Sequence, residues 1–498
     1  MLFTSALFAF VYLPIVLAGF FALGHYSPRY AASWLFLASI VFYGYWMPEF
    51  TVLLISSVCF NFWVGSRISN LMSPKNGGGK SARLWLIGGI AVNLALLGYF
   101  KYANFFLDNL MLISNQHWTF EYIILPIGIS FFTFTQIAFL ADTFQKGIRE
   151  YGFIHYGLFV TYFPHLIAGP VLHHAQMMPQ FREAKTYKID TANLAGGLTI
   201  FIIGLFKKIV MADGISPYAD AVFNGAESGL IPGFNEAWLG GFAYTFQLYF
   251  DFSGYSDMAI GLSWLFNVRL PFNFNSPYQA GNISDFWRRW HISLSNFLRD
   301  YLYIPLGGNR KGTLHRNLNL FVTMFLGGLW HGASWSFIFW GCLHGSFLIV
   351  NHGFQILVSK HFKGVNTHYL FIFLGWLLTF LLVVVAWVFF RSTSFSGALR
   401  ILESMVKPWL AYSFDSIHPL LWNQGLHPEI GLLFCTVLGG IAFFLPNSNQ
   451  IGDMILQRCQ QQNALRPVII GMACTFGVLL IIINSLRTSS SAFIYFNF

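Results

Sequence analysis

Charged residues are scarce in this chain. Of its 498 residues, 9% are Asp, Glu, Lys or Arg, whereas 56% are hydrophobic. A soluble globular chain carries about 25% charged residues, so this composition excludes a soluble protein and indicates an integral membrane protein. Apolar segments run through the whole sequence without a soluble-sized interruption. We therefore predict a single membrane domain over residues 1–498, with a core at 84–390 and C-terminal helices plus an aromatic tail at 391–498.

Cysteine and several catalytic signatures are also scarce or missing. The five cysteines are scattered and form no C-x-x-C pair, which argues against a disulfide framework or a zinc site. The sequence contains no G-x-S-x-G nucleophile elbow, no P-loop and no H-E-x-x-H motif. His165, His173 and His174 are close together, but they have no cysteine or acidic residue near them in the sequence. We therefore predict no metal site and no permanently bound cofactor.

The apolar segments predict an all-α polytopic protein. A helix needs about 20 apolar residues to cross the hydrocarbon core, and several segments are shorter or are interrupted by Gly and Pro. We expect about eleven crossings, with the remaining segments re-entrant or interfacial. The candidate spans are residues 3–23, 31–48, 51–66, 84–101, 120–140, 152–170, 195–212, 236–265, 318–340, 342–358, 369–391, 429–446 and 467–485.

The formal net charge of +9 is explained by basic residues in short loops between the apolar segments. Cytoplasmic loops of membrane proteins carry an excess of Lys and Arg, so this charge does not predict nucleic-acid binding. The basic loops after the third and fifth candidate spans place the N-terminus outside the cytoplasm. Counting back from the basic loops near the other end places the C-terminus outside as well. We predict a multi-pass protein of the bacterial inner membrane.

His331 lies within the candidate span 318–340, in the string Gly327-Gly328-Leu329-Trp330-His331-Gly332. A polar side chain at membrane depth is costly unless it has a hydrogen-bond partner, and it usually faces a cavity or a pathway. An imidazole titrates near neutral pH and can act as a general base. The alternative is a structural histidine bonded to a neighbouring helix. The small residues around it would let another helix or a substrate chain come close.

A second segment, residues 285–295, alternates arginine with tryptophan around His291. Arginine can bond two phosphate oxygens at once, and tryptophan can stack on a planar group. The alternative is an amphipathic helix lying at the membrane interface. Asp285 can also pair with Arg288 or Arg289 along a helical turn.

Two carboxylates, Asp251 and Asp257, lie in the aromatic segment 249–257. Either one could pair with the arginines or orient a histidine, and a structural ion pair is an equal alternative. The apolar segments hold few further acidic residues, which weakens a proton-coupled transporter as an explanation.

These strings resemble the membrane-bound O-acyltransferase family, and within it the bacterial branch of the alginate O-acetyltransferase membrane subunits and the peptidoglycan O-acetyltransferases. The resemblance covers roughly residues 1–390 well and the remainder loosely. The strings that carry it are residues 247–261, 286–295, 298–310 and 327–333, with 98–105, 125–131 and 163–170 upstream.

The resemblance implies a fold of many helices around a funnel or tunnel, with His331 as the catalytic histidine and His291 as a second functional histidine. It implies that an acetyl group from a cytoplasmic donor, most simply acetyl-CoA, crosses the membrane to O-acetylate an alginate-like polysaccharide. A periplasmic or membrane-anchored O-acetyltransferase of the Ser-His-Asp type would be the partner. We assign the following residues to donor binding or to the tunnel: Trp287, Arg288, Arg289, Trp290, Trp330, Asp251 and Asp257.

Two alternatives to alginate acetylation stay open. In the first, the same chemistry serves peptidoglycan. In the second, the protein is a transporter or flippase with a histidine-lined pathway. Such a protein would show inverted repeats of broken helices, which we do not find in the sequence.

The aromatic tail 492–498 contains Tyr495, and we hypothesise that this hydroxyl accepts the acetyl group after deprotonation by His331. The alternative for the tail is an interfacial anchor or a docking segment.

Overall fold

The computed structural model describes residues 1–73, 78–115, 118, 120–150, 152–361, 369–407, 420–487 and 493–494. Every regular element in these ranges is a helix. The predicted all-α class is therefore confirmed.

The first of two compact units comprises residues 1–205, 255–272 and, within the described ranges, 448–494. Its helices are α1 Leu13–Tyr26, α2 Pro28–Trp46, α3 Pro48–Leu71, α4 Gly79–Ser114, α5 Ile129–Lys146, α6 Phe153–Thr161, α7 Phe163–Leu166, α8 His174–Met177 and α9 Thr191–Phe206. Its later helices are the last part of α11 Phe234–Leu265, together with α19 Ser448–Gln461 and α20 Leu465–Ser485.

The second unit comprises residues 206–254 and 273–447. It contains α10 Asp213–Glu227, the first part of α11, α12 Ile283–Arg289, α13 Ile292–Leu298, α14 Thr313–His331, α15 Trp335–His361, α16 Tyr369–Arg391, α17 Phe395–Val406 and α18 Pro428–Phe444. Both predicted catalytic histidines belong to this unit.

Fewer helices have the length and apolar composition of a membrane span than the eleven expected. Seven of the described helices meet both conditions, or eight if α18 and α19 are counted as one broken span. The seven are Phe8–Tyr26, Pro48–Leu71, Gly79–Ser114, Thr191–Glu227, Trp335–Lys360, Tyr369–Arg391 and Leu465–Ser485. The remaining apolar segments form shorter helices or carry polar side chains within buried helices, so they do not meet both conditions.

Helix α5 shows that an apolar helix can be buried within the protein. Every side chain from Ile129 to Thr143 is buried, so this helix is surrounded on all sides by protein, as a core helix is. Two of its polar side chains take part in hydrogen bonds inside the unit. Gln136 donates to the Ser57 hydroxyl at 2.9 Å, and the Lys101 ammonium donates to the Ser130 hydroxyl at 3.2 Å.

The predicted span 318–340 is wrong, because the chain turns back within it. Helix α14 ends at His331, Gly332 is extended, and α15 begins at Trp335. A side chain at Gly332 would collide with the Phe337 ring, so a larger residue would require this ring to move. His331 therefore occupies the end of a helix rather than the middle of a continuous span.

Helices α14 and α15 form an antiparallel hairpin that packs backbone against backbone. A Cβ added to Gly328 would collide with the Phe337 carbonyl oxygen and would lie 3.0 Å from the Gly341 Cα. A Cβ added to Gly341 would lie 2.5 Å from the Met324 carbonyl oxygen. Small residues permit this approach in membrane helices, where close van der Waals packing replaces the hydrophobic driving force.

We predict that Gly328→Ala lowers the unfolding temperature in detergent, because α15 must move away to admit the methyl group. Overpacking of this kind costs about 1–3 kcal/mol. Gly353→Ala is the matched control. It lies in α15, where an added Cβ would meet no atom within 4 Å, and removing a helix-interior glycine should leave stability equal or about 0.5–1 kcal/mol higher. Equal unfolding temperatures for the two variants would contradict the proposed contact.

Candidate active site

His331 is enclosed by aromatic rings at the end of α14. Its own exposure is 3%. The ring centroids of Trp330, Trp340 and Phe390 lie 4.9, 5.1 and 5.2 Å from its imidazole, all in edge-on geometry. We call these three residues the aromatic cage. Because edge-on aromatic packing is close and apolar, the cage surrounds the imidazole with a low-polarity environment.

Three separate parts of the second unit build the cage. Trp330 comes from α14, Trp340 from α15 and Phe390 from the end of α16. The end of α16 is held by an ion pair between Arg391 and Asp220 of α10, with a nitrogen–oxygen distance of 2.8 Å. The hairpin and this anchor together fix the rings around His331.

The chain brings His291 to the same place. Its ring centroid lies 6.5 Å from that of His331, 6.2 Å from that of Trp330 and 4.7 Å from that of Phe252. His291 is fully buried. Burial lowers its pKa to about 3, so the ring is neutral near pH 7.

The segment 285–295 is not one continuous amphipathic helix. It divides into α12 and α13, and His291 between them adopts a left-handed conformation with φ 44° and ψ 54°. A residue with a side chain reaches this region at a cost of about 1–3 kcal/mol. Such strain is common at functional sites, where the surrounding structure holds the residue in place.

Two segments hold His291 in this conformation. The Asn275 amide donates to the Arg289 carbonyl, and the Ile292 amide donates to the Asn273 carbonyl, each at 2.9 Å. The Asn273 side chain also bonds to the His291 ring, with 3.2 Å between Oδ1 and Nδ1. Backbone hydrogen bonds before and after His291 therefore hold this strained residue in place.

Trp287 of α12 and Trp290, which directly follows this helix, extend the aromatic surroundings. Trp287 contacts Trp340 at 5.8 Å and donates its indole N–H to His344 Nδ1 at 3.3 Å. Trp290 is buried and packs 4.9 Å from Trp387. These assigned residues thus lie around the cage.

The two arginines of α12 have different surroundings. Arg289 pairs with Asp285 at 2.9 Å, as helical spacing predicts. Arg288 is exposed. Arg289 would have to break its ion pair with Asp285 to bind a phosphate, whereas the exposed Arg288 guanidinium is accessible to one.

Asp251 forms an ion pair with a lysine. Its carboxylate lies 2.7 Å from the Lys208 ammonium, which also bonds to Asp213 at 2.8 Å. Lys208 is buried in a π-helical turn, Lys207–Ala212. Removing one partner of a buried ion pair typically costs about 3–5 kcal/mol, so this pair can stabilise the unit. Asp257 is buried in the first unit.

The three histidines considered for a metal site lie in the first unit, and two of them do have acidic partners there. His173 Nδ1 lies 3.5 Å from Asp142, and His174 Nε2 lies 3.2 Å from Glu150. Burial opposes ionisation of Glu150, but hydrogen bonds from His155, His174 and the Gly152 amide outweigh it and hold its pKa well below the usual range. Asp142 and Glu150 are distant from these histidines in sequence, so the local sequence gave no signal of the two contacts.

Several residues of the site were missed from the sequence. Trp340 and His344 are separated by one helical turn on the same face of α15, and this spacing was available as a signal. Phe390, Asn273 and Lys208 reach their places through long-range packing, for which the local sequence gives no signal. The candidate acyl acceptor Tyr495 lies outside the described residues.

The assembled site can perform proton transfer in an apolar enclosure. Two histidines lie side by side, and the aromatic rings around them keep water away. In a water-poor site, an imidazole that gains a proton interacts strongly with nearby dipoles. One such dipole is the C-terminal end of α14, which favours positive charge on its last residue, His331.

Sequence comparisons place this site within a known family. The membrane-bound O-acyltransferase family model matches residues 93–391, a range that includes both histidines and the whole cage. A peptidoglycan O-acetyltransferase of Helicobacter pylori is 40% identical, with 100% of this chain and 98% of that protein aligned.

Two further relatives show the breadth of the similarity. A Pseudomonas aeruginosa protein named "Probable alginate O-acetylase" is 44% identical over 81% of this chain and 75% of its own length. A teichoic acid D-alanyltransferase of Bacillus subtilis is 27% identical over 54% of this chain and 69% of its own length. With its buried histidine pair inside the matched range, this chain belongs to the membrane-bound O-acyltransferase family and is an acyltransferase.

Proposed function

We propose that this enzyme takes an acetyl group from a cytoplasmic thioester, acetyl-CoA, and passes it across the inner membrane for O-acetylation of an extracytoplasmic polysaccharide. The observation that carries the proposal is that His291 lies beside His331, with 6.5 Å between the ring centroids, and that the aromatic cage encloses His331. Acyl transfer to a hydroxyl needs a neutral base in a site that excludes water, because water would hydrolyse the thioester.

The relatives support two acceptors. The "Probable alginate O-acetylase" relative supports an alginate-like exopolysaccharide. The peptidoglycan O-acetyltransferase relative aligns along the whole chain, which favours peptidoglycan as the second candidate. A periplasmic or membrane-anchored O-acetyltransferase with a Ser-His-Asp triad would complete the transfer in either case.

Arg288 is our proposed contact for the phosphates of the donor. Its side chain is exposed, whereas Arg289 is already paired with Asp285. A guanidinium binds phosphate oxygens through two parallel N–H donors. Trp287 and Trp290 would hold the acyl end of the donor near the cage. The N- and C-termini would lie on the opposite, extracytoplasmic side.

Tyr495 is our proposed first acceptor. His331 removes the phenol proton, and the phenolate oxygen attacks the thioester carbonyl carbon. The new C–O bond forms as the C–S bond breaks, and the thiolate leaves with the proton from the His331 imidazolium. A phenol has a pKa near 10, so it needs such a base. The acetyl ester on Tyr495 then passes to the partner enzyme.

We predict that His331→Ala lowers acetylation of the polymer by about 10²-fold or more, the usual contribution of a general base. The measurement is the acetyl content of the polymer in cells that carry the variant, with membrane insertion checked by immunoblot. The control is His352→Ala, which removes a histidine of α15 that bonds to the Leu348 carbonyl of its own helix. Wild-type acetylation in inserted His331→Ala would contradict the proposal.

We predict that Tyr495→Phe abolishes acetyl transfer to the polymer, because the ring remains but the accepting oxygen is lost. The same assay measures it, and mass spectrometry of the wild-type C-terminal peptide should detect an added acetyl group. Tyr369→Phe, at the start of α16, is a matched control. Full transfer by Tyr495→Phe would rule out the tyrosine as a carrier and would support the docking role of the tail.

A further inference from the structure

Three polar atoms lie within hydrogen-bond distance of Asn273 Oδ1. The backbone N–H of Ser293 donates to it at 3.1 Å and the Ser293 hydroxyl at 2.9 Å, and His291 Nδ1 lies 3.2 Å away. Asn273 is fully buried, and its backbone carbonyl accepts from the Ile292 amide. The side chain therefore has one fixed orientation against the segment that contains His291.

This arrangement determines where the His291 proton lies. A backbone N–H can only donate, so the Asn273 atom that faces Ser293 must be the oxygen and not the nitrogen. An amide oxygen can only accept, and therefore the His291 nitrogen that meets it, Nδ1, must carry the proton. In a neutral imidazole the other nitrogen, Nε2, then holds a lone pair.

We infer that Asn273 is a positioning residue that fixes His291 as the Nδ1–H tautomer and commits its Nε2 to accepting a proton or a hydrogen bond during acyl transfer. This inference rests on the proposed function. A second histidine could either accept a hydrogen bond from a hydroxyl that loses its proton or donate one to the thioester carbonyl oxygen. The Nδ1–H tautomer suits the first role. It excludes the second, because Nε2 of neutral His291 then has no proton to donate.

His344 offers an internal contrast. The Trp287 indole N–H donates to His344 Nδ1, and an indole nitrogen has no acceptor role. Neutral His344 must therefore carry its proton on Nε2. Two fully buried histidines of one unit are thus held in opposite tautomers, each by a single neighbour, which gives a direct spectroscopic comparison.

The test is ¹⁵N NMR of the full-length protein in detergent, labelled at the histidine ring nitrogens. The His291 signals are assigned by their loss in His291→Gln. We expect a protonated Nδ1 and an unprotonated Nε2 for His291 in the wild type, with the reverse pattern for His344. An unprotonated Nδ1 at His291 in the wild type would overturn the inference whatever the enzyme's activity.

Two substitutions of Asn273 extend the test to catalysis. Asn273→Leu should lose the Nδ1–H tautomer and lower the rate of polymer acetylation by about 10²–10⁴-fold, the range for loss of acid–base function. Asn273→Asp still accepts from all three donors, so it should keep the tautomer and stay within about tenfold of the wild-type rate at alkaline pH. Because its carboxylate stabilises the imidazolium, the acid limb of its pH–rate profile should move to higher pH.

The control is Asn61→Leu, which removes another buried asparagine, one that bonds to Asn93 in the first unit. It should leave the His291 signals unchanged. If Asn273→Leu kept both the Nδ1–H signal and the wild-type rate, Asn273 would have no positioning role. If the wild-type protein failed to acetylate any polymer but showed the expected tautomer, the proposed function would fail while the assignment of the proton would stand.

Discussion

The backbone contact between α14 and α15 at Gly328 and Gly341 is the constraint on which the site depends. It brings two helices together without intervening side chains, so the face of α15 that carries Trp340 and His344 lies directly beside the end of α14. Because Gly332 ends α14 immediately after His331, the imidazole is held at a helix terminus and meets those rings. A larger residue at any of the three glycines would move the rings away from the base.

The second consequence of this packing is that two buried histidines lie side by side, with a ring-centroid distance of 6.5 Å. The rings around His331 and His291 exclude water, and burial keeps His291 uncharged. A neutral imidazole can take a proton from a hydroxyl, and an apolar enclosure protects a thioester from hydrolysis. The ion pair between Lys208 and Asp251 belongs to the scaffold of the same unit, where it satisfies a buried carboxylate.

Much of the fold and part of the site could be predicted from the sequence. The low charge and the repeated apolar segments are sufficient for an all-α membrane protein, and the motifs around His291 and His331 indicate the family. The break at Gly332 could not be predicted from hydropathy, because the segment 318–340 is apolar on both sides of it. The pairing of Asp251 with Lys208 and the bond from Asn273 to His291 join residues distant in sequence, so they depend on packing that local patterns do not encode.

The central claim is that His291 and His331 act as one unit in acyl transfer. It is tested most directly by the rate of acetyl transfer to the polymer in His291→Ala, His331→Ala and the double variant, each at equal membrane abundance. Residues that act as a unit are strongly non-additive. We therefore expect the double variant to be no slower than the slower single variant. A double variant slowed by the product of the two single effects would show that the histidines act independently and would contradict the claim.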